Sequence, residues 1–103
     1  MYKVVVYVPL ADADKVRKAI GDAGGGKIGA YSHCSFSSRG TGRFTPSEGA
    51  KPAIGEIGKP QEVEEERIEF ICETYCLDDV IAAIRKIHPY EEPAIEAWKV
   101  EMK

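Results

Sequence analysis

The sequence predicts an α+β domain of ferredoxin-like topology, with one β-α-β unit followed by a second. Three observations support this prediction. Apolar residues alternate along several strand-like segments, two other segments carry apolar residues at helical spacing, and a long glycine- and proline-rich segment separates the two halves. In this βαββαβ order, four antiparallel strands form one sheet, two helices cover one face, and the other face stays open.

The first half of the chain is expected to hold a strand, a helix and a second strand. Tyr2 to Val8 is β-branched and aromatic on both faces, which predicts a central strand. Asp12 is expected to cap the first helix. Alternation from Ile28 to Ser37 predicts the second strand. Because the first strand is apolar on both sides, we expect another copy of the chain to cover the open face.

The second half begins with a long loop, residues 39–62, which has no sustained periodicity. Loops of this length in compact domains are usually functional or disordered. Alternation from Glu64 to Tyr75 then predicts the third strand. Leu77 to Ile87 carries an apolar helical stripe, with acidic residues at its start and basic residues at its end, and Ala94 to Glu101 is expected to form the last strand.

The composition indicates one domain, residues 1–103, in a reducing compartment. A net charge of -3 with interspersed signs argues against nucleic acid as a partner. No apolar run approaches the roughly 20 residues that cross a bilayer, so no membrane association is expected. The three cysteines form neither a disulfide framework nor a usual zinc motif, and a cytoplasmic location is expected.

Three stretches together resemble a known family: Ile28 to Phe36, Gly40 to Phe44 and His88 to Ala94. They are similar to the domain inserted in bacterial YqfO proteins, of the family named for interaction with the yeast NGG factor, here expected as a stand-alone protein. The His-Pro-Tyr-Glu sequence also resembles CutA proteins, whose relatives include the PII signalling proteins. The resemblance implies a CutA/PII-like fold, trimers, and small ligands or divalent metals at clefts between subunits.

A glycine-rich stretch with two arginines is the first candidate ligand site. Its glycines let backbone N–H groups converge beside two guanidinium groups, an arrangement suited to a phosphate or carboxylate. The alternative is a glycine-assisted turn or bulge at the end of the second strand. His33, expected on the open face or in a subunit cleft, joins the candidate ligand contacts. The full set is His33, Arg39, Gly40, Gly42 and Arg43.

His33, His88 and Glu91 form the candidate set for a divalent metal ion, with ligands shared between subunits. The alternative for His88 is a structural role at the end of the second helix, where it can bind free carbonyl groups. No catalytic residues are expected. His33 and Cys34 are neighbours on a predicted strand and would therefore point to opposite faces, so they are not expected to form a nucleophile-base pair.

The sequence thus favours a non-enzymatic, homo-oligomeric module, expected to be a trimer, that binds a small molecule or a protein and has a regulatory role. One alternative is a CutA-like protein that binds a divalent metal between subunits. Another is an interaction domain that docks on a partner protein through the loop at residues 39–62. The fold alone does not decide among these functions.

Overall fold

A computed structural model describes the whole chain, Met1 to Lys103, as one four-stranded sheet with two helices. The elements, in chain order, are β1 (Tyr2–Pro9), α1 (Ala13–Asp22), β2 (Phe36–Phe44), β3 (Gln61–Cys72), α2 (Leu77–Ile87) and β4 (Ile95–Lys99). Neither helix is long and apolar enough to cross a membrane.

The strands lie in the order β2-β3-β1-β4, and every neighbouring pair is antiparallel. This order confirms the ferredoxin-like fold that the sequence predicts. The two central strands are β1 and β3, so β1 is flanked on both sides. Val4 pairs with Phe70 of β3 and with Ala97 of β4, which fixes the register of the three strands.

The hydrophobic core lies between one face of the sheet and the two helices. Alternate residues of β1 and β3 meet apolar residues that recur at helical spacing in α1 and α2. The strand contribution is Val4, Val6, Val8, Ile68, Phe70 and Cys72, and the helix contribution is Ala13, Val16, Ile20, Val80 and Ile84. Asp12 precedes α1 as expected, but its side chain makes no capping hydrogen bond and pairs with Lys15.

The opposite, open face of the sheet is partly covered by the chain itself. Val5 is fully buried, because it lies between Glu69 of β3 and Glu96 of β4, whose long side chains flank it. Our expectation that a single chain would leave the apolar residues of the first strand exposed is therefore wrong for Val5. The exposed apolar side chains of this face lie nearer its edges, at Phe36 and Trp98.

The second strand begins later than the alternation predicts. Residues 28–35 form no strand, and Ile28 and Tyr31 instead close a tight turn through two backbone hydrogen bonds. Strand β2 extends through the glycine-rich stretch to Phe44, because its backbone pairs with β3 from Gln61 onwards. The connection between β2 and β3 therefore comprises residues 45–60, shorter at both ends than the predicted loop.

Candidate functional site

A cavity of about 700 Å³ opens on the open face of the sheet, at the end of β1 that holds Tyr7. Strand β2 and the following loop form one side, and the α2–β4 connection forms another. The lining residues from β2 and its loop are Ser38 to Ser47, Ala50 and Pro52 to Ile54; the others are Tyr7, Glu65, Arg67, Tyr90 to Glu92 and Ala94. This volume lies in the range of pockets that bind small molecules.

The carboxylate of Glu65 lies at the floor of this cavity. Glu65 is only 9% exposed, although it belongs to a run of acidic residues that would otherwise be expected in solvent. In the register of β2 and β3 it lies opposite Gly40 and diagonally from Gly42. A Cβ atom on Gly42 would come within 2.0 Å of Glu65 Oε1, so the glycine gives the carboxylate its space.

Tyr90 holds the Glu65 carboxylate from the other side. Its hydroxyl donates a hydrogen bond of 2.7 Å to Glu65 Oε2. Burial, together with the hydrogen bond to Glu65 and its negative charge, raises the pKa of Tyr90 well above its ordinary value. The ring of Phe44 lies 5.9 Å from the ring of Tyr90 at an angle of 60°, so the two aromatic residues form one wall beside the carboxylate.

Hydrogen bonds hold the loop at residues 45–60 in place beside the cavity. The backbone N–H of Lys51 donates to Glu91 Oε1 at 2.9 Å, which joins the loop to the α2–β4 connection. Within the loop, the N–H of Gly58 donates to the carbonyl of Pro46 at 2.7 Å. These bonds bring both ends of the loop together and hold its middle against the turn that follows α2.

The four candidate residues of the glycine-rich stretch all lie at the cavity, but they do so in different ways. Gly40 and Gly42 belong to the open face, together with Glu65. Arg39 and Arg43 alternate with them, so their side chains project from the opposite face. The guanidinium group of Arg43 accordingly pairs with Glu62, at 3.6 Å.

His33 lies at the other end of the sheet. Its ring packs against Gly21 in the last turn of α1, with Nε2 3.0 Å from Asp22 Oδ1 and Nδ1 2.9 Å from Ser32 Oγ. Lys18, and then His33, lower the pKa of Asp22. His33 makes no bond to Cys34, and its φ of 58° lies in the left-handed region that few residues other than glycine adopt.

Both ring nitrogens of His88 are used inside the chain. His88 Nε2 donates to the carbonyl of Tyr7 at 2.7 Å, and Nδ1 accepts the backbone N–H of Tyr90 at 3.1 Å. These bonds agree with a structural role for His88 after the second helix, the alternative to metal binding that the sequence offers. Within one chain, no group of three or more histidine, cysteine or acidic side chains is arranged to hold a metal ion. The site between subunits formed by His33, His88 and Glu91 stays a prediction.

Glu65 and Tyr90 are the two site residues that the sequence did not identify. In the sequence Glu65 stands within a run of acidic residues, and only the pairing of β3 with β2 shows that it faces the cavity. A usable signal was the alternation of β3, which assigns Glu65, Arg67 and Glu69 to the face opposite Ile68. Tyr90 lies inside the His-Pro-Tyr-Glu sequence, although its contact with Glu65 depends on the fold.

Comparisons with known proteins agree with this fold. No protein-family model matches the chain. A relative from Halalkalibacterium halodurans, named GTP cyclohydrolase 1 type 2 homolog, is 50% identical over 98 residues, which are 95% of this chain and 26% of the relative. A crystal structure of a Bacillus cereus protein related to NIF3 has a TM-score of 0.84 and 48% identity, over 98% of this chain and 26% of that one.

The chain therefore spans about a quarter of the length of the relatives that it matches. A structure of the PII-like protein CutA from Nostoc, in its apo form, has a TM-score of 0.70 at 14% identity and covers 98% of this chain and 82% of that one. At this identity the likeness concerns the fold alone. The CutA/PII-like fold that the resemblance implies is thus confirmed, and the similarity to NIF3-related proteins extends over nearly the whole chain.

Proposed function

We propose that this chain is a non-enzymatic, homo-oligomeric module that binds a small molecule in the cavity of the open face and serves a regulatory role. The observation that supports this proposal best is a cavity of about 700 Å³ with a buried carboxylate fixed at its floor. Mostly apolar cavities with a few fixed polar groups are the usual form of small-molecule sites.

Gly40 allows a direct test, because it lines the cavity and has open space where a side chain would begin. A leucine at this position is expected to occupy the part of the cavity next to Glu65 without disturbing the fold, because Gly40 lies opposite Glu65. We therefore propose to screen a library of small aromatic and heterocyclic compounds against the protein by ligand-observed NMR. Binding should be retained by Gly40→Ala and lost in Gly40→Leu.

Glu62→Leu is the matched control for this screen. Glu62 lies on the same pair of strands, is exposed, and projects from the opposite face, so this variant places a leucine side chain outside the cavity. If compounds bind equally well to Gly40→Leu and to the wild type, the cavity is not the binding site and the proposed function is wrong.

We further propose that the module assembles into a trimer and works in the cytoplasm. The proposal of self-association is supported by exposed apolar side chains on the open face, among them Phe36 and Trp98. A cytoplasmic location accords with three cysteines that form no disulfide. A divalent metal between subunits is tested by titrating zinc into the purified assembly. Loss of zinc uptake in His33→Ala would support that site, and a wild type without uptake would eliminate it.

A further inference from the structure

We infer that the ligand of this cavity is a flat organic cation, such as an amidine, a guanidine or a protonated amino-heterocycle, bound by the carboxylate of Glu65. This inference depends on the function proposed above and specifies its ligand. It starts from one atom: Glu65 Oε1 accepts no hydrogen bond within the chain, whereas Oε2 accepts one from Tyr90. Glu65 Oε1 is therefore an unused hydrogen-bond acceptor, and Glu65 lines the cavity.

The charge of Glu65 has no cationic partner in the chain. None of the ion pairs within 4.0 Å includes it, although the adjacent Glu66 pairs with Arg17. Arg67 lies on the open face beside Glu65, but its guanidinium group pairs with Glu69, at 3.7 Å, and not with Glu65. No side-chain oxygen or nitrogen is fully buried without a hydrogen-bond partner, so Glu65 Oε1, which has none, is reachable from the cavity. A cationic ligand would supply the missing partner.

The carboxylate is also held in position before any ligand arrives. Gly42 leaves it room against the backbone of β2, and the hydroxyl of Tyr90 fixes its far oxygen. Preorganised acceptors of this kind bind more tightly, because little side-chain freedom is lost on binding. A charged N–H donor would therefore form a strong hydrogen bond to Glu65 Oε1.

The walls of the cavity favour a flat cation over a compact one. The tilted rings of Phe44 and Tyr90 stand beside the carboxylate, and aromatic faces attract organic cations. Glu91 and Glu92 add negative charge at the same cavity. Of the three arginines in the lining, two project from the opposite face of the sheet and the third, Arg67, pairs with Glu69. An anionic ligand would meet Glu65 at the floor, so the arrangement disfavours phosphates and carboxylates there.

Benzamidine, benzamide and benzoate provide a matched test, because they share a planar phenyl group and differ in charge. Their dissociation constants would be measured by NMR titration with the wild type, Glu65→Gln and Glu62→Gln. We expect the wild type to bind benzamidine at least tenfold more tightly than benzamide, and benzoate least tightly. Glu65→Gln, which keeps the size of the side chain, should lose this preference, whereas Glu62→Gln should keep it.

Gly40→Leu separates the failure of this inference from the failure of the proposed function. If Gly40→Leu blocks binding but the wild type prefers benzamide or benzoate, or Glu65→Gln keeps the preference for benzamidine, the cavity binds ligands and the assignment to cations is wrong. If no compound binds the wild type, or Gly40→Leu binds all three unchanged, the cavity is not a binding site and both proposals fail.

Discussion

At the scale of single residues, Tyr90 links the stability of the fold to pH. Its pKa is raised in the folded protein, first by burial and then by Glu65, so the folded state holds the phenolic proton more tightly than the unfolded state does. The stabilisation by this proton is complete below the ordinary tyrosine pKa of about 10 and is lost as pH rises above it. Unfolding free energy should therefore fall progressively as pH rises above about 10.

Tyr90→Phe should make that fall smaller and should cost about 1–2 kcal/mol at neutral pH, because the Glu65 carboxylate loses its only hydrogen bond. Urea denaturation at several pH values measures both effects. Tyr31→Phe is the control, since Tyr31 is 75% exposed. An equal alkaline loss of stability in wild type and Tyr90→Phe would contradict the coupling between Tyr90 and Glu65.

The two glycines of β2 should respond differently to the same substitution. In Gly42→Ala, the new methyl group would displace the Glu65 carboxylate and weaken its bond to Tyr90, with an expected loss of about 1–3 kcal/mol of unfolding free energy. Gly40→Ala meets no atom within 4 Å and should be neutral or stabilising by up to about 1 kcal/mol, because alanine restricts the unfolded chain.

Chemical denaturation measures these differences, and a double-mutant cycle identifies their cause. Combining Gly42→Ala with Glu65→Ala should cost less than the sum of the two single changes, because the displaced group is gone. Additive losses would show that the alanine acts through the backbone and not through Glu65.

At the scale of elements, the loop at residues 45–60 is predicted to be packed structure and not an open docking segment. Its fastening bond, from Lys51 N–H to Glu91 Oε1, is lost in Glu91→Ala. A protease that cleaves after glutamate can report on this change, since Glu48 and Glu56 both lie in the loop. We expect slow cleavage at these positions in the wild type and faster cleavage in Glu91→Ala.

Glu92→Ala is the neighbouring control for this experiment, because Glu92 makes no hydrogen bond to the loop. Rapid cleavage of the wild type at Glu48 and Glu56 would contradict the packed loop. It would favour the alternative in which this segment docks on a partner protein.

The helices and strands also show how much of the secondary structure could be predicted from the sequence. Helix α2 occupies Leu77–Ile87, the predicted bounds, because its apolar stripe and terminal charges all favour the same helix. Strand β2 was harder to place. Ile28 to Ser37 alternates like a strand but turns back on itself at Tyr31, while the glycine-rich Phe36–Phe44 pairs with β3. Pairing with a distant strand overrode the weak local preference of glycine.

The candidate site was predictable to a similar degree. Composition singles out the stretch from Arg39 to Arg43, and its glycines lie on the open face at the cavity, whereas its two arginine side chains project from the opposite face. Local sequence could not show that Glu65 lies opposite Gly40, because that neighbourhood arises from the register of two strands separated by a long loop. His88 was assigned two alternative roles, and only the distances to Tyr7 and Tyr90 show that its nitrogens are occupied.

At the scale of the whole molecule, the open face has two chemically different ends. The cavity and its acidic floor occupy the end near Tyr7, whereas the other end holds exposed apolar side chains. Phe36 is 68% exposed there, and the exposed side chains of Trp98 and Met102 lie on or beside the same end of the sheet. Several exposed apolar side chains at one end of a sheet, outside a ligand cavity, favour a contact with another protein. Self-association through this end would leave the cavity free for a ligand.

Measuring the oligomeric state tests whether the chain self-associates through the apolar end of the open face. Native mass spectrometry of the untagged protein should give three times the mass of one chain. Phe36→Glu should shift the population towards monomers, because a buried unpaired charge at an interface is costly. Tyr75→Glu is the control, since Tyr75 is even more exposed, at 79%, but follows β3 next to α2. A monomeric wild type would refute self-association, and a trimer unchanged by Phe36→Glu would place the contact on another surface.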